Sequence, residues 1–264
     1  MAADLPPRPD HYAGVAPGWD THVARVYGPI AARLVAAAPH PLHGRTVLDA
    51  GAGTGLAGRE LAALGARVVA MALSLDMLRW QRAGRPPAVV GDVGRMPLRD
   101  GAVNDVLAAF VLNHLSDPLP ALRELARVTR PGGAVPATVY ATSNRSAVRD
   151  LIDVVAVQHG FAWPPWYLEI KQVAAPKLGT AAAMAEAAAA AGLSGIDAIE
   201  QTVDVGLDRA EELVDHRLGQ AHCRTWLDGL SDAARSALRM DAIRAVTPVM
   251  QPFRPPVVRL VALA

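Results

Sequence analysis

The segment 47-VLDAGAGTGLAG-58 constrains this chain more than any other. An apolar run ends in an acid, a glycine-dense turn follows, and a helix-forming stretch begins. Glycines permit positive φ and let a ligand approach the backbone. The helix that follows offers free N–H groups and the positive end of its dipole. A plain structural β-turn-α unit is the alternative. Two cofactor readings compete with it. Gly53, Gly55 and Gly58 fit the G-x-G-x-x-G spacing of dinucleotide sites. Asp49, Gly51, Gly53 and Gly55 fit the D-x-G-x-G-x-G loop of S-adenosylmethionine sites. The acid separates the two. A carboxylate repels a pyrophosphate and attracts the ammonium of a methionyl group.

The loop sits in an alternating pattern. Short apolar runs at 46-TVLDA-50, 67-RVVAMAL-73, 88-AVVGD-92, 105-DVLAAFV-111 and 134-AVPATVY-140 are separated by helix candidates at 56–64, 74–83 and 118–129. Continuously apolar strands suggest burial on both faces, hence a parallel sheet. Ser74 suits an N-cap with Asp76 in the first turn, and Pro118 suits a helix start. The stretch 181-AAAMAEAAAAAG-192 reads as a helix closed by Gly192. After residue 195, 196-IDAIEQTVDV-205 and 257-VVRLVAL-263 read as strands flanking two amphipathic helices, the second spanning about 231–245 with Ser231 as cap. The expected fold is α/β: a doubly wound, Rossmann-like, mostly parallel seven-stranded sheet with an inserted helical lid. The expected organisation is a helical lid over 1–40, a cofactor-binding core over 41–142, a lid and substrate-binding insertion over 143–195, and the last strands over 196–264 with helices inserted at 207–245.

Composition narrows the function. A net charge of +1 without a Lys/Arg block argues against nucleic acid. No apolar run reaches the roughly 20 residues needed to span a bilayer, and the N-terminus lacks the order of a signal peptide. A single cysteine, Cys223, forms no internal disulfide, which suits a reducing cytoplasm. Packing is the first reading for Cys223 and a nucleophilic role the second. No His/Cys/Asp cluster has metal-ligand spacing, so no metal is expected.

Four motifs in order resemble the class I S-adenosylmethionine-dependent methyltransferases, especially the small-molecule branch. They are 47-VLDAGAGTG-55, 91-GDVGRMPLRDGAVND-105, 110-FVLNHLSDP-118 and 130-RPGG-133. The resemblance covers about residues 10–140 well and the rest loosely. It implies S-adenosylmethionine as cofactor and S-adenosylhomocysteine as product. It also implies residue roles. Asp49, Gly51, Gly53 and Gly55 would back the methionyl group and sugar. Asp92 would take the adenine amino group, with the Val93 N–H facing the ring. Phe110 and Val111 would floor the methionyl part, and Tyr12 and Trp19 would form an N-terminal lid.

The pattern breaks in three places. At 72-ALSLDML-78, Ala72 stands where the family places the acid that grips the ribose. At 103-VNDVL-107 the acid is displaced by one residue, leaving Asn104 and a carboxylate at Asp105 in a normally apolar position. A lone buried carboxylate is costly, so Asp105 needs a partner. Pro136 removes a ladder donor from the fifth strand.

Methyl transfer is an in-line displacement in which positioning supplies much of the rate, and a base can relieve the acceptor of a proton. His114 is the best-placed base, with His22, His216 and His222 weaker. Asn113, Trp19, Trp163, Trp166 and Tyr167 are candidate substrate contacts, the last three belonging to the cluster 161-FAWPPWY-167. The expected function is S-adenosylmethionine-dependent methylation of a small organic molecule in specialised, natural-product biosynthesis. Ala72 keeps two alternatives open: a reaction other than methyl transfer, such as ring formation, and a non-catalytic partner subunit. A homo-oligomer or a partner protein is left open.

Overall fold

The computed structural model describes residues 8–264; the first seven residues of the expected 1–40 lid lie outside the described residues. Seven strands form one sheet in the order β3-β2-β1-β4-β5-β7-β6. They are β1 (Thr46–Ala50), β2 (Arg67–Ala72), β3 (Ala88–Val90), β4 (Asp105–Ala109), β5 (Ala137–Tyr140), β6 (Ser194–Thr202) and β7 (Pro256–Leu263). The first five run parallel, and β7 is antiparallel to both β5 and β6. This is the expected doubly wound sheet, with its order reversing between β1 and β4.

Two-residue alternation along the central strands sorts the core. Leu48, Ala50, Val106 and Ala108 join one cluster with α5 (Leu119–Val128) and α8 (Ala181–Ala190). Val47 and Leu107 face the other way, against α2 (Ala24–Ala36) and α3 (Leu56–Ala63). A third cluster packs α6 (Ala147–Gln158), α9 (Ala210–Leu218) and α11 (Asp232–Val246) beside Phe110 and Val257. The helices between β6 and β7 thus form a layer over one end of the sheet. The approach to α2 is helical from Ala16, with α1 (Ala16–Gly18) and a single π turn at Trp19–Val23.

Several elements differ from their expected extents. β3 is only three residues and exposed on all of them, being the sheet edge. β5 begins after Pro136, which lacks the N–H a ladder needs. The helix expected at 74–83 is α4 (Leu75–Arg79). Ser74 caps it, its hydroxyl accepting from the Met77 N–H, but Trp80 is extended and Gln81 has φ +50°. Three helices, not two, lie between β6 and β7, the additional one being α10 (Ala221–Asp228).

Asp105 has its partners. Arg45 donates to both carboxylate oxygens, at 2.6 and 3.0 Å, and the Ala134 N–H donates at 2.8 Å. His40 Nε2 lies 2.8 Å from Oδ1. Burial pushes this carboxyl up, but Arg45, Ala134 and His40 outweigh it and hold the net value below the usual range. Asn104 accepts from the Thr46 N–H at 2.9 Å. The displaced acid ties the start of β4 to the segments entering β1 and β5.

Candidate active site

In an open parallel sheet, ligands settle beyond the carboxyl ends of the strands where the order reverses. Here that crevice lies past β1 and β4, and a cavity of about 410 Å³ opens there. The volume falls in the range of small-molecule sites.

Its floor is the glycine loop. Gly51, Gly53 and Gly55 all have positive φ, at +81°, +51° and +87°. A Cβ on Gly51 would lie 2.5 Å from the Val111 Cβ, so glycine is what lets the β1 loop meet the β4 loop. The Gly51 and Ala52 N–H groups donate to the Met71 carbonyl at 2.7 and 2.9 Å, fixing the loop to β2. Arg85 holds it from the other side. Its guanidinium donates to the Gly53 carbonyl at 2.8 Å and to the Met77 carbonyl at 2.6 Å. Long-range ties of this kind leave no periodic signal, and Arg85 is not legible in the sequence.

Asp49 borders the same cavity and is 1 % exposed, with Oδ2 lacking a hydrogen-bond partner. Burial pushes its carboxyl up to about 7, against the Gly58 N–H and the Arg85 charge, which pull it down. Its buried Oδ2 thus keeps acceptor capacity on the cavity side.

Asp92 lies at the opposite end. Its Oδ1 accepts from the Gly94 N–H at 2.8 Å, and Oδ2 pairs with Arg8 at 3.1 Å. A carboxylate has about four acceptor positions, so capacity for a further donor remains. Between the two acids, Ala72, Leu73 and Ser74 line the wall with no carboxylate. Asp76 is engaged elsewhere, accepting from the Gly14 N–H at 3.1 Å.

The remaining wall is aromatic. Phe110 has φ +57°, a strained conformation for a residue with a side chain. Its ring meets Tyr27 at 4.6 Å and Tyr140 at 4.7 Å. Trp19 lies 5.1 Å from Tyr27 and 5.5 Å from Tyr12. Trp166 stacks on His11 at 4.4 Å and 7°, joining the N-terminal segment to α7 (Pro165–Glu169). The Tyr12 hydroxyl is 3.4 Å from His114 Nε2. Burial, with His11 nearby, drives His114 down to about 4, so its imidazole is neutral near pH 7.

Of the residues singled out from sequence, Tyr12, Trp19, Asp49, Gly51, Gly53, Asp92, Val93, Phe110, Val111, His114 and Trp166 border the cavity. Four stand outside it. Gly55 is the left-handed N-cap of α3. Asn113 is buried beneath, with Oδ1 unpartnered. Trp163 and Tyr167 stack on His222 at 5.4 and 3.9 Å, inside the helical layer. His22, His216 and His222 are also absent from the lining. Burial pushes the Cys223 thiol up to about 12, in keeping with a packing role. No cluster of three or more metal-ligating side chains occurs among the described residues. No helix among them is long and apolar enough to cross a membrane. Sequence reading missed His11, Tyr27 and Arg8, which reach the site only through the fold.

Residues 48–136 match the family model described as a methyltransferase domain. The chain is 41 % identical over 103 residues to the demethylmenaquinone methyltransferase of Mycolicibacterium paratuberculosis, covering 39 % of this chain and 45 % of that protein. It therefore spans about half the length of the curated relatives it matches. A chain of the complex described as "between the Haloferax volcanii Trm112 methyltransferase activator and the putative methyltransferase" superposes with a TM-score of 0.60 at 21 % identity over 97 % of this chain and 98 % of that one. The [4+2]-cyclase SpnF superposes with a TM-score of 0.54 at 21 % identity over 91 % and 80 %. These structural likenesses concern the fold.

Proposed function

We propose, from the premise that this chain carries a class I S-adenosylmethionine-dependent methyltransferase domain, that it methylates a small organic acceptor in specialised metabolism. One observation carries the reading. A single cavity joins the glycine loop and Asp92 to an aromatic chamber containing Tyr12 and His114. Cofactor and acceptor would therefore share one continuous cavity.

S-adenosylmethionine supplies a sulfonium methyl group, an electrophile that needs positioning more than activation. Asp49 would attract its ammonium, Gly51 and Gly53 would lie against its backbone-like portion, and Asp92 would accept from the adenine amino group. Aromatic faces attract cations, so Tyr12, Trp19 and Phe110 suit the sulfonium end. His114, neutral and 3.4 Å from the Tyr12 hydroxyl, can take a proton from an acceptor O–H or N–H, directly or through Tyr12. The relatives named for demethylmenaquinone support a ring-bearing, largely apolar acceptor, which suits the aromatic wall.

The test supplies methyl-labelled S-adenosylmethionine with a panel of phenols, hydroquinones and amines. Label transfer with matching formation of S-adenosylhomocysteine supports the reading. A second reading, a reaction without methyl transfer, is favoured by Ala72, which leaves the sugar wall without a carboxylate. Product formed while the labelled cofactor stays intact would establish that reading instead.

A further inference from the structure

Arg85 stands outside the cavity lining, on the segment between α4 and β3, and meets the site from behind. Its place follows from the early end of α4. Trp80 is extended, Gln81 is left-handed and a 3-10 turn follows at Arg82–Gly84, so the chain turns back on the helix it has just left. A helix end leaves its last carbonyls without partners inside the helix. Arg85 Nη1 takes two of them, donating to Met77 at 2.6 Å and to Leu78 at 3.2 Å. Its Nη2 donates to the Gly53 carbonyl at 2.8 Å. A Cβ on Gly55 would lie 3.0 Å from that same nitrogen, so the guanidinium packs against the loop there as well. One side chain thus ties α4, beyond the wall that lacks a carboxylate, to the glycine floor.

Arg85 also brings a charge to this place. Its hydrogen bonds among the described residues all end on backbone carbonyls, so no paired carboxylate cancels it. Asp49, bordering the cavity with Oδ2 unpartnered, feels that charge. The other charged groups around Arg85 are Arg59 on α3 and Asp20 on the π turn, which lie 3.9 Å apart and largely balance each other. Burial favours the neutral form of Asp49, and the Gly58 N–H and the Arg85 charge oppose it.

We propose that Arg85 is the positioning residue of the cofactor site: it fixes the glycine loop through Gly53 and keeps Asp49 ionised for the cofactor's ammonium. This rests on the methyltransferase reading and adds to it a residue outside the cavity. With no carboxylate at Ala72 to grip the sugar, the loop carries more of the cofactor. A binding site is only as exact as the side chains that lock its own residues in place.

The experiment measures S-adenosylhomocysteine binding by calorimetry between about pH 6 and pH 8. The ammonium needs the ionised acid, and Asp49 takes up its proton near pH 7, so the parent's affinity should fall about tenfold from the upper to the lower limit. Asp49→Asn should remove this dependence. Arg85→Gln should weaken binding about tenfold at pH 7 and move the midpoint up by about one pH unit, since burial of Asp49 is then less opposed. Arg85→Lys keeps the charge without the fork, so it should hold the parent's midpoint and recover only part of the affinity. An Arg85→Gln variant that binds like the parent, or more weakly with its midpoint unmoved, overturns the proposal. So does a parent whose affinity is flat across this range, or a dependence that survives Asp49→Asn. If Arg85→Gln does not fold, Arg85→Lys decides: weaker binding at the parent's midpoint supports the proposal, and the parent's full affinity overturns it. A parent that binds no S-adenosylhomocysteine at any pH overturns the methyltransferase reading itself.

Discussion

At the scale of single residues, Ala72 is the departure that matters most. It ends β2, is 6 % exposed and borders the cavity, where the resemblance calls for a carboxylate. The structure offers no substitute within that wall, because Ser74 caps α4 and Asp76 is bound to Gly14. Hydrogen bonds to a charged group contribute about 1.5–3 kcal/mol each. Ala72→Asp should therefore tighten S-adenosylmethionine binding by about tenfold to a hundredfold, as read by calorimetry. Unchanged affinity would mean the sugar is held elsewhere. The position was legible in sequence because motifs on both sides fix its register. Asp92 was legible for the same reason, whereas its pairing with Arg8 was not, since more than eighty residues separate them.

At the scale of elements, Asp105 is the tie that secures the centre of the sheet. It links β4 to the chain entering β1 and to the N–H before β5. Its native pKa is depressed, so its contribution is present above the ordinary carboxylate pKa and is lost as pH falls through the depressed value. Asp105→Ala should cost about 3 kcal/mol near pH 7, and the deficit against the parent should shrink as unfolding is followed into acid. A deficit that stays constant below pH 4 would show that packing, not charge, makes the tie. The strands were readable because their apolar runs are short and bounded by turn residues. Boundaries failed where a local feature overrode the pattern: Pro136 delays β5, and Gln81, at φ +50°, follows the early end of α4 at Trp80. The helix α10 escaped notice because it is only eight residues long and set between Gly219 and Gly229, so it reads as part of a connection; the aromatic stack around His222 holds it in place.

At the scale of the whole molecule, the sheet order places the glycine loop and the β4 loop at one crevice, and the N-terminal segment, α2 and α7 border it. Sequence motifs picked out the glycine-loop side of the cavity because its residues are local to two loops. The aromatic wall comes from the N-terminal segment, α2, the β4 loop and α7, brought together by packing, so Tyr27 was missed, while Trp163 and Tyr167 lie outside the lining. The account as a whole stands on the cavity accepting an adenosyl cofactor. Calorimetric titration of the parent protein with S-adenosylhomocysteine is its most direct test. We expect saturable one-to-one binding in the micromolar range; no detectable heat or competition at millimolar ligand would contradict the account.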